Sequence, residues 1–357
     1  MRAVVVGGGV FGSSTARELA ARGHEVTLVE QYAPGHVRSA SGGDTRLLRF
    51  SHGEHEWYTR LARRSLALWR ELEAESGQRL FEPVGVAWFD SGEGDFSVRS
   101  EATLTRLGIA CERLTPGEAG RLYPSLGGDD LRSVLFEPEA GVLYARRATR
   151  ALARGLHVEA ARATPARPPE ADVVVWACGS WLGSLFPELV SQQVSRRDVF
   201  FVGADARWAG TPGFCDYDAA FYGHGELAGL GMKVAPDGPG PEVDPDELER
   251  LPDPGARALA RAYLARRFPA LAEAPIIAAR VCQYDLTGDT HFLLARHPEH
   301  AGWWLLGGSS GHGFKHGPAL AELVADCVEG RREPEPFLGL GPRRGDAGLR
   351  TGSPAVR

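Results

Sequence analysis

Lysine occurs at only two positions in the 357-residue chain, and both positions end glycine-rich segments. Lys233 closes the segment Gly-Leu-Gly-Met-Lys, and Lys315 closes the segment Gly-His-Gly-Phe-Lys. All the other basic residues are arginines. An ammonium group is a compact point charge, whereas a guanidinium group is a planar fork. The two lysines therefore mark positions where a concentrated cation can stabilise an anion, unless a compositional preference for arginine has spared them by chance.

Glycines near the N-terminus have the spacing Gly-x-Gly-x-x-Gly, formed by Gly7, Gly9 and Gly12. The first permits a tight turn, the second lets a pyrophosphate approach the backbone, and the third lets the next helix pack on the strand. The helix N-terminus adds positive potential. Glu30 ends the following strand, where a carboxylate can accept hydrogen bonds from a ribose. The pattern predicts a dinucleotide site and leaves NAD and FAD both open.

A β-α-β unit over residues 3–30 is needed to position these glycines. The run Ala-Val-Val-Val indicates a buried parallel strand, and helical spacing follows over residues 13–22. Apolar strands of the same type are predicted at 171–177 and 303–306, whereas the alternating aromatic stretches over 195–235 are typical of antiparallel strands. The remaining predicted elements are a strand over 85–89 and helices over 57–75, 99–107, 116–122, 146–153, 245–267 and 317–329.

This order of elements predicts an α/β protein in which a Rossmann-like nucleotide-binding domain is interleaved with an α+β substrate domain built on an antiparallel sheet. The nucleotide-binding domain is expected to take residues 1–80, 140–190 and 296–330. The substrate domain is expected to take residues 81–139 and 191–295. The tail over 331–357 is rich in Pro, Gly and Arg and is predicted to be mobile.

Composition places the chain among ordinary soluble proteins, with 43% hydrophobic and 24% charged residues. The net charge of −6 argues against a nucleic-acid partner, and no apolar run is long enough to span a bilayer. The five cysteines are widely and irregularly spaced, which argues against a disulfide framework or a zinc site. We therefore expect a protein of the reducing cytoplasm.

Histidines offer little support for a metal site at the level of sequence. His52, Glu54 and His55 lie close together in the chain, as do His297 and His300, but no third ligand is suitably spaced for either group. We therefore predict no metal. Hydrolase chemistry has no support either, because the sequence lacks a Gly-x-Ser-x-Gly elbow.

Three further segments carry a family resemblance. Residues 39–49 read Ser-Ala-Ser-Gly-Gly-Asp-Thr-Arg-Leu-Leu-Arg, residues 282–284 read Cys-Gln-Tyr, and residues 307–315 read Gly-Gly-Ser-Ser-Gly-His-Gly-Phe-Lys. Over residues 1–330 the chain resembles the monomeric sarcosine oxidase and N-methyltryptophan oxidase group of the D-amino-acid-oxidase-like FAD-dependent oxidoreductases. This resemblance favours FAD over NAD.

The resemblance implies a role for each of several side chains. Lys233 matches the lysine that promotes flavin reoxidation by O2, since a fixed cation stabilises the anion that forms first. Lys315 and Arg49 match a pair that clamps the substrate carboxylate. Tyr222 and Tyr284 match aromatic residues that line the substrate cavity. For these tyrosines core packing is the alternative, and for Lys233 it is a solvated surface position.

Cys282 matches the cysteine that bonds to the flavin ring methyl carbon, and Arg46 matches an arginine near that ring. A cation at Arg280 could lower the pKa of the Cys282 thiol, whereas an isolated cysteine is by default a small core residue. The cofactor-binding residues indicated by the motif and the resemblance are Gly7, Gly9, Val10, Phe11, Gly12, Glu30, Ser41, Thr45, Arg46, Cys282, Gly308, Gly311, His312, Gly313, Phe314 and Lys315.

The expected activity is FAD-dependent oxidation of the C–N bond of a secondary amine or amino acid to an imine, with O2 reduced to H2O2. The expected partners are a small amine or amino acid and O2, with neither nucleic acid nor membrane, and the expected state is a monomer or small homo-oligomer. Asp237, where relatives commonly have histidine, and Glu226, in an unusual loop, put sarcosine itself in doubt. The alternatives are an FAD-dependent dehydrogenase with another acceptor, a nucleotide-binding protein without catalysis, and an NAD-dependent dehydrogenase.

Overall fold

The computed structural model describes residues 1–92, 94–341, 343, 345 and 348–349. Within these residues, parallel and antiparallel sheets combine with helices, so the predicted mixed α/β class is confirmed. No helix in the described ranges is long and apolar enough to cross a bilayer.

The strands of the described residues are β1 (Arg2–Val6), β2 (Glu25–Glu30), β3 (Arg46–Leu48), β4 (Phe81–Glu82), β5 (Val86–Asp90), β6 (Glu112–Leu114), β7 (Ser133–Glu137), β8 (Gly141–Leu143), β9 (His157–Ala160), β10 (Val173–Trp176), β11 (Gln193–Val202), β12 (Gly213–Asp216), β13 (Phe221–Glu226), β14 (Met232–Pro236), β15 (Ile276–Leu286), β16 (Leu293–Arg296) and β17 (Trp303–Gly307). The α-helices are α1 (Val10–Ala21), α2 (Glu56–Ser76), α3 (Phe96–Arg106), α4 (Pro116–Ala119), α5 (Ala145–Ala153), α6 (Leu182–Leu185), α7 (Pro254–Arg267) and α8 (Gly317–Val328).

The first sheet has the order β16-β17-β10-β1-β2-β9 and is parallel except at β16. Its central strand β1 is apolar on both faces because helices cover it, and Val5 pairs with Val175 on one side and Leu28 on the other. Helix α1 packs against both α5 and α8. This arrangement holds the glycine loop that follows β1 at the carboxyl edge of the sheet, where α/β folds bind ligands.

The second sheet has the order β15-β11-β14-β13-β12-β5-β7-β6. Its pairs are antiparallel except β5 with β12, which run parallel, so the expected antiparallel sheet contains one exception. The long pair β11/β15 runs from Gln193 opposite Leu286 to Val202 opposite Ile276. It supports Cys282 and Tyr284, while a small third sheet, β3-β8-β4, carries Arg46.

Helix α7 is shorter than the sequence pattern predicts. The expected helix over 245–267 begins only at Pro254, where Asp253 accepts a hydrogen bond from the Ala256 N–H at 2.7 Å. The prediction of helix before residue 253 was wrong because Pro252 and Pro254 each lack an N–H and disfavour helical geometry at the residue before them.

The described part of the C-terminal segment lies against the body of the protein, which differs from the mobile tail expected after residue 331. Leu338 and Leu349 are fully buried, and Arg343 forms an ion pair with Asp289 at 3.1 Å. Two buried leucines therefore hold the segment against the protein, although its overall composition is that of a mobile tail. The rest of the expected tail, at 342, 344, 346–347 and 350–357, lies outside the described residues.

Candidate active site

In the glycine loop after β1, two of the three glycines have no space for a Cβ atom. Gly7 has a positive φ of 110°, and a Cβ atom there would lie 2.3 Å from the Ala177 carbonyl oxygen. A Cβ at Gly12 would lie 1.9 Å from the Gly7 carbonyl oxygen. Gly12 therefore lets α1 pack directly against the turn, as the motif predicts.

Replacing Gly12 with alanine is expected to separate α1 from the turn and to lower stability by about 1–3 kcal/mol, the usual cost of overpacking. The purified variant should contain less FAD per chain, read from its visible absorbance relative to that of the protein, and should melt at a lower temperature. Gly117→Ala is the matched control, since a Cβ there meets nothing within 4 Å. Retention of flavin by Gly12→Ala at the wild-type level would contradict this assignment.

The N-terminus of α1 is the natural place for a phosphate. Its N-cap residue is Gly9, which provides no side-chain cap, and the Val10 N–H donates to the Ser41 hydroxyl at 2.9 Å. Beside it, Glu30 accepts hydrogen bonds from the N–H groups of Gly8 at 2.6 Å and Tyr32 at 2.9 Å. These bonds fix the Glu30 carboxylate at the wall of the cavity.

A single large cavity runs from this loop to the second sheet and encloses about 1610 Å³ of empty space, part of it open to solvent. Its lining includes both the dinucleotide loop and side chains of the second sheet, so one continuous space joins the predicted nucleotide site to the predicted substrate site. The sequence-predicted residues that line it are Gly7, Gly9, Val10, Phe11, Glu30, Ser41, Arg46, Arg49, Tyr222, Tyr284, Gly311, His312, Gly313, Phe314 and Lys315.

Two of the predicted cofactor-binding glycines do not line this cavity but allow the backbone around it to pack closely. Gly12 lies beneath the loop, as described above. Gly308 has a positive φ of 62° at the end of β17, and a Cβ there would meet the Thr287 methyl carbon at 2.6 Å. Gly308 thus allows the chain to turn from the sheet toward the Gly311–Lys315 segment.

Arg49 and Lys315 face the same cavity as a pair of buried cations, exposed by 6% and 2%. The Arg49 guanidinium donates to the carbonyl oxygens of Ser51 at 2.6 Å and Leu349 at 2.9 Å, and it lies over the Trp88 ring. The Lys315 ammonium donates to the His312 carbonyl oxygen at 2.9 Å. Neither cation forms an ion pair within the described part of the chain.

Burial holds the pKa of Lys315 well below its ordinary value, and the neighbouring charge of Arg49 lowers it further. Such a site favours an anion, because a bound carboxylate would supply the missing countercharge and accept hydrogen bonds from both groups. The structure therefore brings together the two cations that the resemblance pairs.

Glu137 is a site residue that the sequence analysis missed. Its buried carboxylate accepts hydrogen bonds from the N–H groups of Phe50 at 2.6 Å and Ser51 at 3.1 Å, from the Ser51 hydroxyl, and from the Trp88 indole at 2.7 Å. It thereby fixes the loop that carries Arg49. The available signal was an acid at the end of the apolar run Ser-Val-Leu-Phe-Glu, a placement that is costly unless the carboxylate is hydrogen-bonded.

Tyr222 and Tyr284 form a polar–aromatic wall on the second sheet. Their hydroxyl oxygens lie 3.3 Å apart, and the Tyr284 hydroxyl donates to the Asp237 carboxylate at 3.0 Å. Burial, followed by the charge of Asp237, raises the pKa of Tyr222 to about 12, so this phenol stays protonated. Asp237 therefore orients the wall, and it lines the cavity itself.

Glu226 does not approach the substrate region, so the expectation of a carboxylate there was wrong. Its side chain accepts a hydrogen bond from the Gly229 N–H at 2.5 Å, within its own turn between β13 and β14. The pattern Gly-Glu-Leu-Ala-Gly places the acid where it can cap that turn, and it does not line the cavity among the described residues.

A second, smaller cavity is lined by the other three predicted site residues that do not line the first. Thr45, Lys233 and Cys282 line it together with Arg46, which lines both cavities. The Thr45 hydroxyl lies 2.8 Å from Nε2 of His224, and the Lys233 ammonium donates to the Thr45 carbonyl oxygen at 3.2 Å. Arg46 thus lies at the junction of the two spaces.

Lys233 is a buried residue, which rejects the alternative of a solvated surface lysine. It is 2% exposed, and its ammonium lies 4.9 Å from the centroid of the Tyr222 ring. Burial, followed by repulsion from Arg46, lowers the pKa of Lys233 to about 7. The side chain can therefore present or withhold a proton near neutral pH.

Cys282 contacts a different arginine from the one expected. The Arg280 guanidinium forms an ion pair with Asp44 at 2.9 Å. Because side chains alternate along a strand, Arg280 and Cys282 lie on the same face of β15. The guanidinium that contacts the Cys282 sulfur, at 3.5 Å, is nevertheless that of Arg46 on β3.

A profile of the family described as FAD dependent oxidoreductase matches residues 2–327 of this chain. The chain belongs to that family. FAD dependent oxidoreductases among the curated proteins include monomeric sarcosine oxidase from Bacillus sp. (strain B-0618), which is 29% identical over 356 residues with 91% of each chain covered. N-methyl-L-tryptophan oxidase from Salmonella newport (strain SL254) is 25% identical, covering 92% of this chain and 94% of the relative. The resemblance predicted from the motifs is confirmed.

Solved structures agree on the fold of this FAD dependent oxidoreductase. The modified fructosyl peptide oxidase from Aspergillus nidulans superposes with a TM-score of 0.85 at 20% identity, covering 99% of this chain and 96% of that one. The residues present also fit FAD, because the glycine cradle excludes side chains, α1 begins without a side-chain cap, and the main cavity continues from both to Lys315.

Proposed function

We propose that this FAD dependent oxidoreductase oxidises the C–N bond of a small carboxylated amine, a secondary amine or an amino acid, to an imine. The observation that carries the proposal is the pair Arg49 and Lys315, two buried cations that face the cavity beginning at the dinucleotide loop. A cation pair held in a low-dielectric site recognises a carboxylate and orients the rest of the substrate.

FAD supplies the hydride acceptance that the oxidation requires, and the protein supplies orientation and charge. Arg49 and Lys315 would hold the substrate carboxylate at one end of the cavity. Tyr222 and Tyr284 would bound the side of the substrate, with their orientation set by Asp237. None of these groups is placed as a free base, so we propose that the amine reacts in its neutral form.

Reduction of O2 to H2O2 is proposed to depend on Lys233. Lys233 lines the second cavity, whereas Arg49 and Lys315 line the first, so O2 and substrate would meet different cations. A fixed charge in a desolvated site stabilises the anion that forms when O2 is first reduced. This placement supports an oxidase over the alternative, a dehydrogenase that passes electrons to another acceptor.

The test is a panel of N-methyl and cyclic amino acids mixed with the purified yellow protein under anaerobic conditions. We expect flavin bleaching with at least one member, little bleaching with the matching decarboxylated amine, and one H2O2 per turnover after O2 is admitted. Bleaching without H2O2 would indicate a dehydrogenase. The absence of bleaching with every amine would contradict amine oxidation, and a colourless protein would contradict FAD itself.

We further propose that FAD is attached covalently through Cys282. The support is a thiol in the second cavity with the Arg46 guanidinium 3.5 Å from its sulfur. The described cysteines are all free thiols, in keeping with the proposed location in the reducing cytoplasm. Monomer or small homo-oligomer is the proposed assembly.

Replacing Cys282 with serine is expected to leave FAD bound but extractable, because an alcohol does not form the thioether link. Acid precipitation of the wild-type protein should give a yellow pellet and a Cys282 peptide heavier by one FAD. The variant should give a white pellet and a yellow supernatant. Cys178→Ser serves as the control, since this thiol lines the main cavity. A white wild-type pellet would remove the covalent link.

A further inference from the structure

Three buried histidines form a cluster that the proposed oxidation does not use. The ligand atoms of His52, His312 and His316 all lie within 4.8 Å of one another. Their ring centroids are 5.2 Å apart for His52 and His316, 6.0 Å for His312 and His316, and 6.1 Å for His52 and His312. All three side chains are at least 95% buried.

Hydrogen bonds fix the tautomers of two of these rings. Nδ1 of His52 lies 2.8 Å from the Phe50 carbonyl oxygen, and Nε2 of His312 lies 2.9 Å from the Thr290 carbonyl oxygen. A carbonyl only accepts, so each of these nitrogens carries the proton. Nε2 of His52 and Nδ1 of His312 are left with bare lone pairs, and neither has a hydrogen-bond partner among the described residues.

His316 is the more unusual member because, in the described ranges, neither of its ring nitrogens has a hydrogen-bond partner. A buried polar group in this state costs about 1–3 kcal/mol unless something satisfies it. The surroundings offer little, since the cluster is walled by aromatic rings, with Phe292 stacked on His312 and Tyr58 edge-on to His316. Three imidazoles with unpartnered nitrogens therefore lie together, walled largely by aromatic rings.

This pattern is the donor set of a transition-metal site. Metal-binding histidines characteristically donate their second ring N–H to a carbonyl or carboxylate, which fixes the tautomer and the ring orientation. Three imidazoles suit Zn²⁺, Ni²⁺ or Cu²⁺ and leave a fourth coordination position open. Two nitrogens on one tetrahedral Zn²⁺ are about 3.4 Å apart, given Zn–N distances of about 2.0–2.1 Å, so the ligand atoms, which lie within 4.8 Å of one another, would move closer together on binding.

We propose that His52, His312 and His316 bind one divalent transition-metal ion such as Zn²⁺. The ion would join the loop that carries Arg49 to the turn that carries Lys315, because His52 follows the first and the other two histidines flank the second. The cations Arg49 and Lys315 oppose a divalent ion, so a hydroxide or carboxylate in the cavity that His312 lines would complete the coordination. This inference is independent of amine oxidation.

The test uses the purified flavoprotein with its FAD, dialysed against Zn²⁺ and then against metal-free buffer, with bound zinc counted by atomic emission. We expect one zinc per chain and a higher melting temperature, since a ligand that binds the folded state stabilises it. His316→Phe should hold no zinc and lose the temperature shift. His300→Gln is the control, because the half-buried His297 and the exposed His300 form a surface pair that could bind zinc weakly.

The proposal is overturned if the wild-type protein holds no zinc, or if His316→Phe holds as much as the wild type. It is also overturned if His300→Gln alone abolishes binding, which would assign the metal to the surface pair. Should His316→Phe fail to fold, His316→Gln takes its place. X-ray absorption at the zinc edge of the wild-type protein then decides independently, since three imidazole ligands are expected and any other set contradicts the cluster.

Discussion

Replacing Lys233 with methionine is expected to slow reoxidation of the reduced protein by O2 about 10²–10³-fold, the loss typical when one preorganised electrostatic group is removed. Methionine keeps the length of the side chain and removes its charge from a site that is 2% exposed. The measurement is stopped-flow mixing of dithionite-reduced protein with O2, which needs no substrate. Anaerobic reduction by the amine should change little, because Lys233 lies in the second cavity.

The pH dependence of the same reaction provides an internal check. A pKa of about 7 means that Lys233 is charged below pH 7 and neutral above it, so the wild-type reoxidation rate should fall as the pH rises through 7. In Lys233→Arg the charge persists at all these pH values, and the rate should be intermediate and flat, because a guanidinium is larger and more diffuse. A wild-type rate in the methionine variant would show that Lys233 has no part in O2 reduction.

Replacing Lys315 with methionine is expected to lower kcat/KM for a carboxylated amine about 10–100-fold, as follows from the 1.5–3 kcal/mol of a hydrogen bond to a charged group. The effect should appear mainly in KM, because the clamp binds substrate and transition state alike. Steady-state kinetics on the best substrate of the panel provide the measurement. Reoxidation of dithionite-reduced Lys315→Met should be normal.

The decarboxylated analogue separates the clamp from general damage to the cavity. With no carboxylate to bind, the analogue should react poorly with the wild-type protein and about equally poorly with Lys315→Met. Lys315→Arg should recover part of the binding, since it restores the charge next to Arg49. If Lys315→Met impairs both substrates by the same factor, the pair Arg49 and Lys315 is not a carboxylate clamp.

The strongest sequence signals concern local structure that few residues determine. Gly7 and Gly12 lie where a Cβ atom would meet backbone, so their spacing alone predicts the loop and the helix behind it. The continuous apolar runs at Ala3–Val6 and 173–176 likewise indicate strands of a parallel sheet, because such strands are buried on both faces. The start of α7 was predicted too early because the helical pattern of Leu, Ala and Arg was given more weight than Pro252 and Pro254.

Contacts between distant segments were beyond the sequence. Arg46 rather than Arg280 approaches Cys282, because β3 and β15 come from different sheets, and a position in one strand gives no information about a neighbour from another. Glu137 acts on a loop some 86 positions earlier in the chain. His52 is also far from His312 and His316 in the chain, so the histidine cluster could not be recognised from spacing.

Short motifs and burial periodicity are enough to predict the dinucleotide loop, the mixed α/β class, the family and the importance of the two lysines. Which charges lie in the same cavity follows only from the fold. It buried both lysines, placed Lys315 with Arg49 in one cavity and Lys233 with Cys282 in another, with Arg46 lining both, and lowered the pKa values of both lysines by removing water. Desolvation and charge proximity depend on three-dimensional distance, which composition and spacing do not contain.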